Sequence, residues 1–265
     1  MTTVAEVKRA LEDLGAETTW HDRPHGFRVE GRCDLVVTVG GDGTLLAVSH
    51  GIGPGTPLLG INSSPSHSVG FFCAAKKGDA AKALSTALAG GLRRIELTRM
   101  RVELNGRALH DRVLNEALFC HASPAATSRY ILRLVRGRDR VVASEEQKSS
   151  GLWVGPAAGS TAAQKSAGGK VLPLASHKLQ YVVREPYRGV GHALSLTVGL
   201  VDEGERLELK SKMRQARLFL DGDHIVHDVT IGDVVTMRRS DEPLVVLGLS
   251  RDGEAPATKV RKAVR

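Results

Sequence analysis

Residues 40–44 read Gly-Gly-Asp-Gly-Thr and follow directly on the run Asp34–Val39. Glycines let a backbone turn sharply and bring amide N–H groups against a bound group with no Cβ in the way. A strand that ends there and feeds a helix N-terminus is a natural phosphate cradle, because orphan amides and the helix dipole both favour an anion. Asp42 is the odd member, since a carboxylate repels phosphate. It has a use if it holds Mg²⁺, or if it faces a hydroxyl that attacks phosphorus. An aspartate of ordinary pKa, near ~4, is a weak base. Phosphoryl transfer has a loose transition state, however, so orienting the hydroxyl and taking its proton late is enough. The same five residues also fit a tight turn whose aspartate caps a helix.

Two further stretches carry polar groups in unusual settings. Asn115 and Glu116 stand side by side in the apolar sequence Leu114–Phe119. An amide offers donors and acceptors to a base edge, and a carboxylate takes the protons of a ribose diol. A β-bulge or a turn explains the pair equally well. The second stretch runs from Ser150-Gly151 through Gly159-Ser160-Thr161-Ala162 to Ser166-Ala167-Gly168-Gly169. Small hydroxyl residues and glycines at this density suit backbone approach to a ligand, or a flexible surface loop.

The elements that must position these residues follow from periodicity. Val4, Val7, Leu11 and Leu14 fall at helical spacing, which predicts an amphipathic helix over 3–14. Asp34–Val39 and Thr56–Ile61 read as strands buried on both faces, Leu45–Val48 as the start of a helix, and Ala74–Ala89 as a second helix. Strand and helix in alternation predict a parallel α/β sheet. Near residue 95 the texture changes to short alternating runs: Arg99–Leu104, Arg107–Leu118, Tyr130–Arg136, Lys178–Arg184, Leu194–Val201, Glu205–Lys210, Ala216–Leu220 and Val234–Arg238. The expected architecture is therefore α/β, an N-terminal parallel α/β domain over 1–95 followed by a β-rich, sandwich-like domain over 96–240. Leu244–Leu249 reads as a last strand, and residues 241–265 are expected to return to the first domain. Asp221-Gly222 reads as a hairpin turn.

Composition narrows the function classes. With 42% hydrophobic and 25% charged residues over 265 positions, the chain is an ordinary globular protein. The +8 charge, from 37 basic and 29 acidic residues, suits an anionic nucleotide. Aromatics at 4% are too few to supply stacking platforms for single-stranded nucleic acid, so a nucleic-acid partner is disfavoured. The basic cluster Lys259, Arg261, Lys262 and Arg265 reads as a solvated tail. Cys33, Cys73 and Cys120 lie far apart, which argues for reduced thiols in a cytoplasmic setting and against a zinc site. His67, His121, His177, His192, His224 and His227 show no metal-ligand spacing. The opening MTTVAEVKRALEDLG lacks the apolar core of a signal peptide, and no run approaches the length of a membrane span.

Taken in series, the Gly-Gly-Asp-Gly-Thr, Leu-Asn-Glu and Gly-Ser-Thr-Ala motifs resemble the NAD kinase family. The first alone is shared with lipid kinases; the three in order are specific. The resemblance implies ATP-dependent phosphorylation of the 2′-hydroxyl on the adenosine ribose of NAD, with Mg²⁺ accompanying ATP and subunits assembled as homo-oligomers, dimers or tetramers. Carried over by residue, it makes Asp42 the base at that hydroxyl and places Gly41, Gly43 and Thr44 near the phosphates. It sets Asn115, Glu116, Thr161, Ala162 and Ser166 along the dinucleotide site. This sequence departs from the usual bacterial pattern at Ser150, where that pattern has Asp, and at Ala163, where it has Tyr. Its Arg184-Glu185-Pro186 stands where the pattern has Pro-Ile-x-Pro-His. With Gln147-Lys148-Ser149-Ser150-Gly151 and Asn62-Ser63-Ser64-Pro65, that segment is similar to the divergent mitochondrial-type branch. A kinase of another nucleoside or lipid hydroxyl, and a silent NAD(P)-binding module, stay open at this level.

Overall fold

A computed structural model describes residues 2–187 and 193–249. In chain order it begins α1 (Thr3–Asp13), β1 (Val36–Gly40), α2 (Asp42–Ser49), β2 (Leu58–Asn62), β3 (Cys73–Lys76), α3 (Ala80–Leu88) and β4 (Arg94–Leu97). Then come β5 (Met100–Leu104), β6 (Arg107–Val113), β7 (Ala117–His121), β8 (Ser128–Arg136), β9 (Arg140–Ser149) and β10 (Gly151–Pro156). A 3-10 turn at Ala157–Thr161 and the short α4 (Ala163–Ser166) precede β11 (Leu179–Arg184), β12 (Val198–Val201), β13 (Glu205–Ser211) and β14 (Ala216–Leu220). The chain closes with β15 (Ile225–Val229), β16 (Val234–Arg239) and β17 (Leu244–Leu247). Two compact units result, one of residues up to Glu96 together with those from Leu244, the other of Leu97–Pro243.

The first unit is built on a five-stranded sheet in the order β1-β2-β17-β4, with β3 sharing the second edge of β2. β2 pairs in parallel with β1, β3 and β17. Every residue of β2 is buried, as a strand covered on both faces requires. Leu59 and Ile61 face a cluster that holds Val7, Ala10 and Leu11 of α1, Ala80 and Leu84 of α3, and Val245 and Leu247 of β17. Leu45 of α2 lies against Gly60 on the other face. Each such aliphatic side chain contributes about 1.5–3 kcal/mol on full burial. Glu6 of α1 accepts the N–H groups of Gly78 and Ala80, both at 2.9 Å, and so caps α3 from a neighbouring helix.

The second unit is a β-sandwich of two six-stranded sheets, ordered β12-β11-β10-β7-β14-β15 and β6-β5-β16-β13-β8-β9. One apolar core joins them, with Phe119, Leu152, Val154 and Leu218 from the first sheet meeting Met100, Tyr130, Leu207 and Met237 from the second. Antiparallel strands covered on one face alternate buried and open positions, as β8 and β14 do.

Several local expectations need correction. The buried stripe of α1 is Thr3, Val7, Ala10 and Leu11, while Val4 and Leu14 face solvent. Residues 74–89 are not one helix: β3 takes the first part, Gly78 turns at φ +96°, and α3 starts at Ala80. Arg107–Leu118 is not one strand, because the chain breaks between β6 and β7 at Leu114–Glu116. Strand β12 begins only at Val198. Strands β9 and β10 escaped the sequence reading. β9 is a charge-rich edge strand, and β10 is buried throughout apart from Trp153, so neither shows the expected alternation. The basic cluster at 259–265 and His192 lie outside the described residues.

Candidate active site

In the first unit β1 ends at Gly40 and Gly41 is the N-cap of α2, which puts Asp42 in the first turn, where the dipole favours a carboxylate. The Asp42 side chain makes no capping bond to the helix and instead anchors a neighbouring loop. Its Oδ2 accepts the N–H of Phe71 at 3.0 Å and its Oδ1 accepts that of Phe72 at 2.9 Å. Each oxygen keeps a further lone pair for another proton. The loop leading to Phe71 is organised by the buried Asn62, whose Nδ2 donates to the Ser68 carbonyl and whose Oδ1 accepts from the Ser64 N–H, both at 3.0 Å. A Cβ on Gly41 would sit 2.5 Å from the Ser68 hydroxyl, so only glycine lets this loop close over the turn. Gly43, by contrast, is exposed and faces open space. Thr44 is half-buried and donates its N–H to the Gly41 carbonyl at 3.1 Å. Gly41, Asp42, Gly43 and Thr44 thus form one turn with its acid held in place. Burial, aided by the charge of Asp42, pushes the neighbouring Cys73 thiol up to about 12.

In the second unit Asn115 and Glu116 occupy the break between β6 and β7. Asp221, at the end of β14, fills that break with its carboxylate. Its Oδ2 accepts from the Leu114 N–H at 2.7 Å, and its Oδ1 accepts from Asn115 at 2.7 Å and Glu116 at 3.0 Å. Asp221 returns its own N–H to the Glu116 carbonyl at 2.9 Å. On the other side, a Cβ on Gly155 or Gly159 would overlap the Asn115 carbonyl oxygen, so the 3-10 turn lies directly on this backbone. The Oε2 of Glu116 is buried with no hydrogen-bond partner among the described residues, and burial, reinforced by Asp221, raises the Glu116 carboxyl to about 7.

Ala162 donates its N–H to the Gly159 carbonyl, and α4 carries Ser166. Asn115, Glu116 and the segment bearing Thr161, Ala162 and Ser166 therefore form one neighbourhood, in which Thr161 and Ser166 are exposed. Buried Gln180 holds this segment through Gln164 Oε1 at 3.1 Å and the Lys170 carbonyl at 3.0 Å. Ser150 lines a cavity of about 430 Å³ together with Thr127, Ser149, Glu185 and Tyr187. Sequence reasoning missed the loop-holding roles of Asn62, Gln164 and Gln180 and the carboxylate role of Asp221. Asp221-Gly222 does make a hairpin turn, with Asp221 at φ +49°. Nothing local to the turn announces a partner more than 100 positions away.

A parallel α/β unit with a glycine turn and a held aspartate, and a β-sandwich with a polar break under small residues, define a nucleotide-handling protein of phosphotransferase type. Comparison gives the family. Residues 6–92 match the model of the ATP-NAD kinase N-terminal domain. A probable NADH kinase of Oryza sativa subsp. japonica is 37% identical over 227 residues, covering 80% of this chain and 70% of that protein. The NAD kinase of Methanoculleus marisnigri is 31% identical over 247 residues, covering 90% and 86%. The crystal structure of an NAD kinase from Archaeoglobus fulgidus in complex with ATP superposes with a TM-score of 0.72 at 23% identity, over 94% of this chain and 89% of that one, and shares the fold. The chain belongs to the NAD kinase family. The likeness to the rice protein fits the divergent branch suggested by Ser150 and Arg184-Glu185-Pro186.

Proposed function

We propose that the protein transfers the γ-phosphate of ATP to the 2′-hydroxyl on the adenosine ribose of NAD or NADH, giving NADP or NADPH. The observation that carries this reading is the turn at Gly40–Thr44, with Asp42 in the first turn of a helix and both of its oxygens anchored. Asp42 orients the acceptor hydroxyl and takes its proton as the new bond to phosphorus forms; the β–γ bridging oxygen of ATP leaves on ADP. Gly41, Gly43 and Thr44 serve the phosphates. Asn115 and Glu116 read the dinucleotide, the amide at the base and the carboxylate at a ribose hydroxyl, with Thr161, Ala162 and Ser166 alongside. NADH is included because kinases of that name stand among the relatives, in rice and in Arabidopsis thaliana.

Among the described residues no three His, Cys, Asp or Glu gather into a metal cage. Mg²⁺ is read as arriving with ATP, as part of the MgATP substrate. We further infer a homo-oligomer, dimer or tetramer, working in the cytoplasm. The three free cysteines suit a reducing compartment, and among the described residues no helix is long and apolar enough to cross a membrane. The test is an assay of purified protein with MgATP and NAD or NADH. Formation of NADP(H) supports the reading; absence of product with either acceptor and with every donor tried, polyphosphate included, overturns it.

A further inference from the structure

Asp221 has an arrangement that a hairpin turn does not require. Its two oxygens hold three consecutive N–H groups, Leu114, Asn115 and Glu116, at the one point where β6 and β7 lose their ladder partners. Its N–H closes a reciprocal bond to the Glu116 carbonyl. The register fixes this contact, because Leu220 pairs with Ala117 and so delivers the next residue to Glu116. A carboxylate that accepts several backbone N–H groups makes strong, charge-assisted bonds. From the opposite side Val154 pairs with Ala117, and Gly155 lies against the Asn115 carbonyl. The break is therefore held from both flanking strands.

We propose that Asp221 is a positioning residue for dinucleotide recognition: by gripping these three amides it fixes the directions in which the Asn115 amide and the Glu116 carboxylate point. The inference rests on the kinase reading for the identity of the ligand, while the grip itself belongs to the fold. Asp221 also adds to the effect of burial on Glu116. It is the charged neighbour felt by Glu116, and it interacts in turn with the buried guanidinium of Arg99, which also feels Arg112 and Glu242. The residue that packs on Gly155 from α4, Gln164, is uncharged. A single carboxylate thus orients Glu116 and delays its ionisation, so the two effects change together when Asp221 is replaced.

Three measurements test this. Hydrogen exchange on the wild-type protein without ligand should show the amides of Leu114, Asn115 and Glu116 protected although they lie outside any strand; rapid exchange at all three would overturn the grip, whatever the enzyme does. Asp221→Asn keeps one carbonyl acceptor and loses the charge. It should raise KM for NAD by about tenfold or more with a smaller change in kcat, and move the acidic limb of kcat/KM to lower pH, since removing a like charge eases ionisation of Glu116. The exposed neighbour Asp223→Ala should leave both unchanged. If Asp221→Asn folds with wild-type KM and an unmoved limb, the inference fails while the kinase reading stands. If it does not fold, or if the wild type proves inactive, exchange at residues 114–116 decides alone.

Discussion

The Oδ1 of Asp42 accepts the backbone N–H of Phe72 at 2.9 Å, so the residue proposed as base is also the anchor of a loop. Asp42→Asn therefore has two effects. Loss of the proton acceptor should lower turnover by roughly 10²–10⁴-fold. An amide can present only one oxygen, so either Phe71 or Phe72 faces an NH₂ group, at a cost of about 1–3 kcal/mol. The variant should fold, with a melting temperature several degrees lower. Steady-state assay beside a thermal melt separates the two, and a turnover loss under about tenfold would remove Asp42 from the chemistry.

Two glycines should respond in opposite ways. Gly43 lies in the first turn of α2 with open space where a Cβ would go, so Gly43→Ala should gain up to about 1 kcal/mol of helix stability. It should nonetheless lose activity if the proposed phosphate site lies at this turn, because the added methyl group would stand in its way. Gly159→Ala drives a methyl into the Asn115 carbonyl and should lose stability and NAD affinity together. Melting curves with KM values for NAD and ATP give the comparison. A Gly43→Ala protein of full activity would argue against a phosphate at this turn.

Glu116→Gln should stabilise the protein in alkaline buffer. The folded-state carboxyl titrates near 7 against an ordinary value of 4.5, so it favours folding when protonated, and that contribution fades as pH rises through 7. Above that pH the buried charge costs about 3 kcal/mol, which the neutral amide avoids. At pH 5 the two proteins should melt nearly together, and at pH 8.5 the variant should melt higher while binding NAD less well. Equal melting temperatures at both pH values would contradict the buried charge.

Cys73 should resist alkylation. With its thiol pushed up to about 12, the thiolate fraction at pH 8 is roughly 10⁻⁴. Mass spectrometry after brief iodoacetamide treatment should find Cys73 unmodified in native protein and modified after unfolding. Rapid native labelling would show that the thiol is not shielded as described.

The parallel sheet and the glycine turn were legible because each depends on neighbours in sequence: apolar runs for β1 and β2, three glycines and an acid between strand and helix. The sandwich was legible from alternation and turns. The helix expected over 74–89 failed because Ala-Ala-Lys-Lys suits helix and strand alike, and pairing with β2 decided the matter. The Leu-Asn-Glu motif was read as a strand because the apolar run continues through it. There the chain passes from one sheet to the other, and Asp221 takes up the amides left without ladder partners, a contact that local pattern does not encode. The loop-holding roles of Asn62 and of the Gln164–Gln180 pair were missed for the same reason, since their work consists of bonds to loops whose paths only the folded chain defines.

Strand β17 lies between β2 and β4, so the whole of Leu97–Pro243 is inserted between two adjacent strands of the first sheet. During synthesis the first unit waits with an unfilled slot until residues 244–247 have emerged from the ribosome. Meanwhile the sandwich, whose strands all lie within one continuous stretch, is free to fold first. Until the slot fills, the position of Leu58 on the second edge of β2, which β3 leaves uncovered, lacks its strand partner. The first unit is thus completed only by a strand that follows the whole sandwich along the chain.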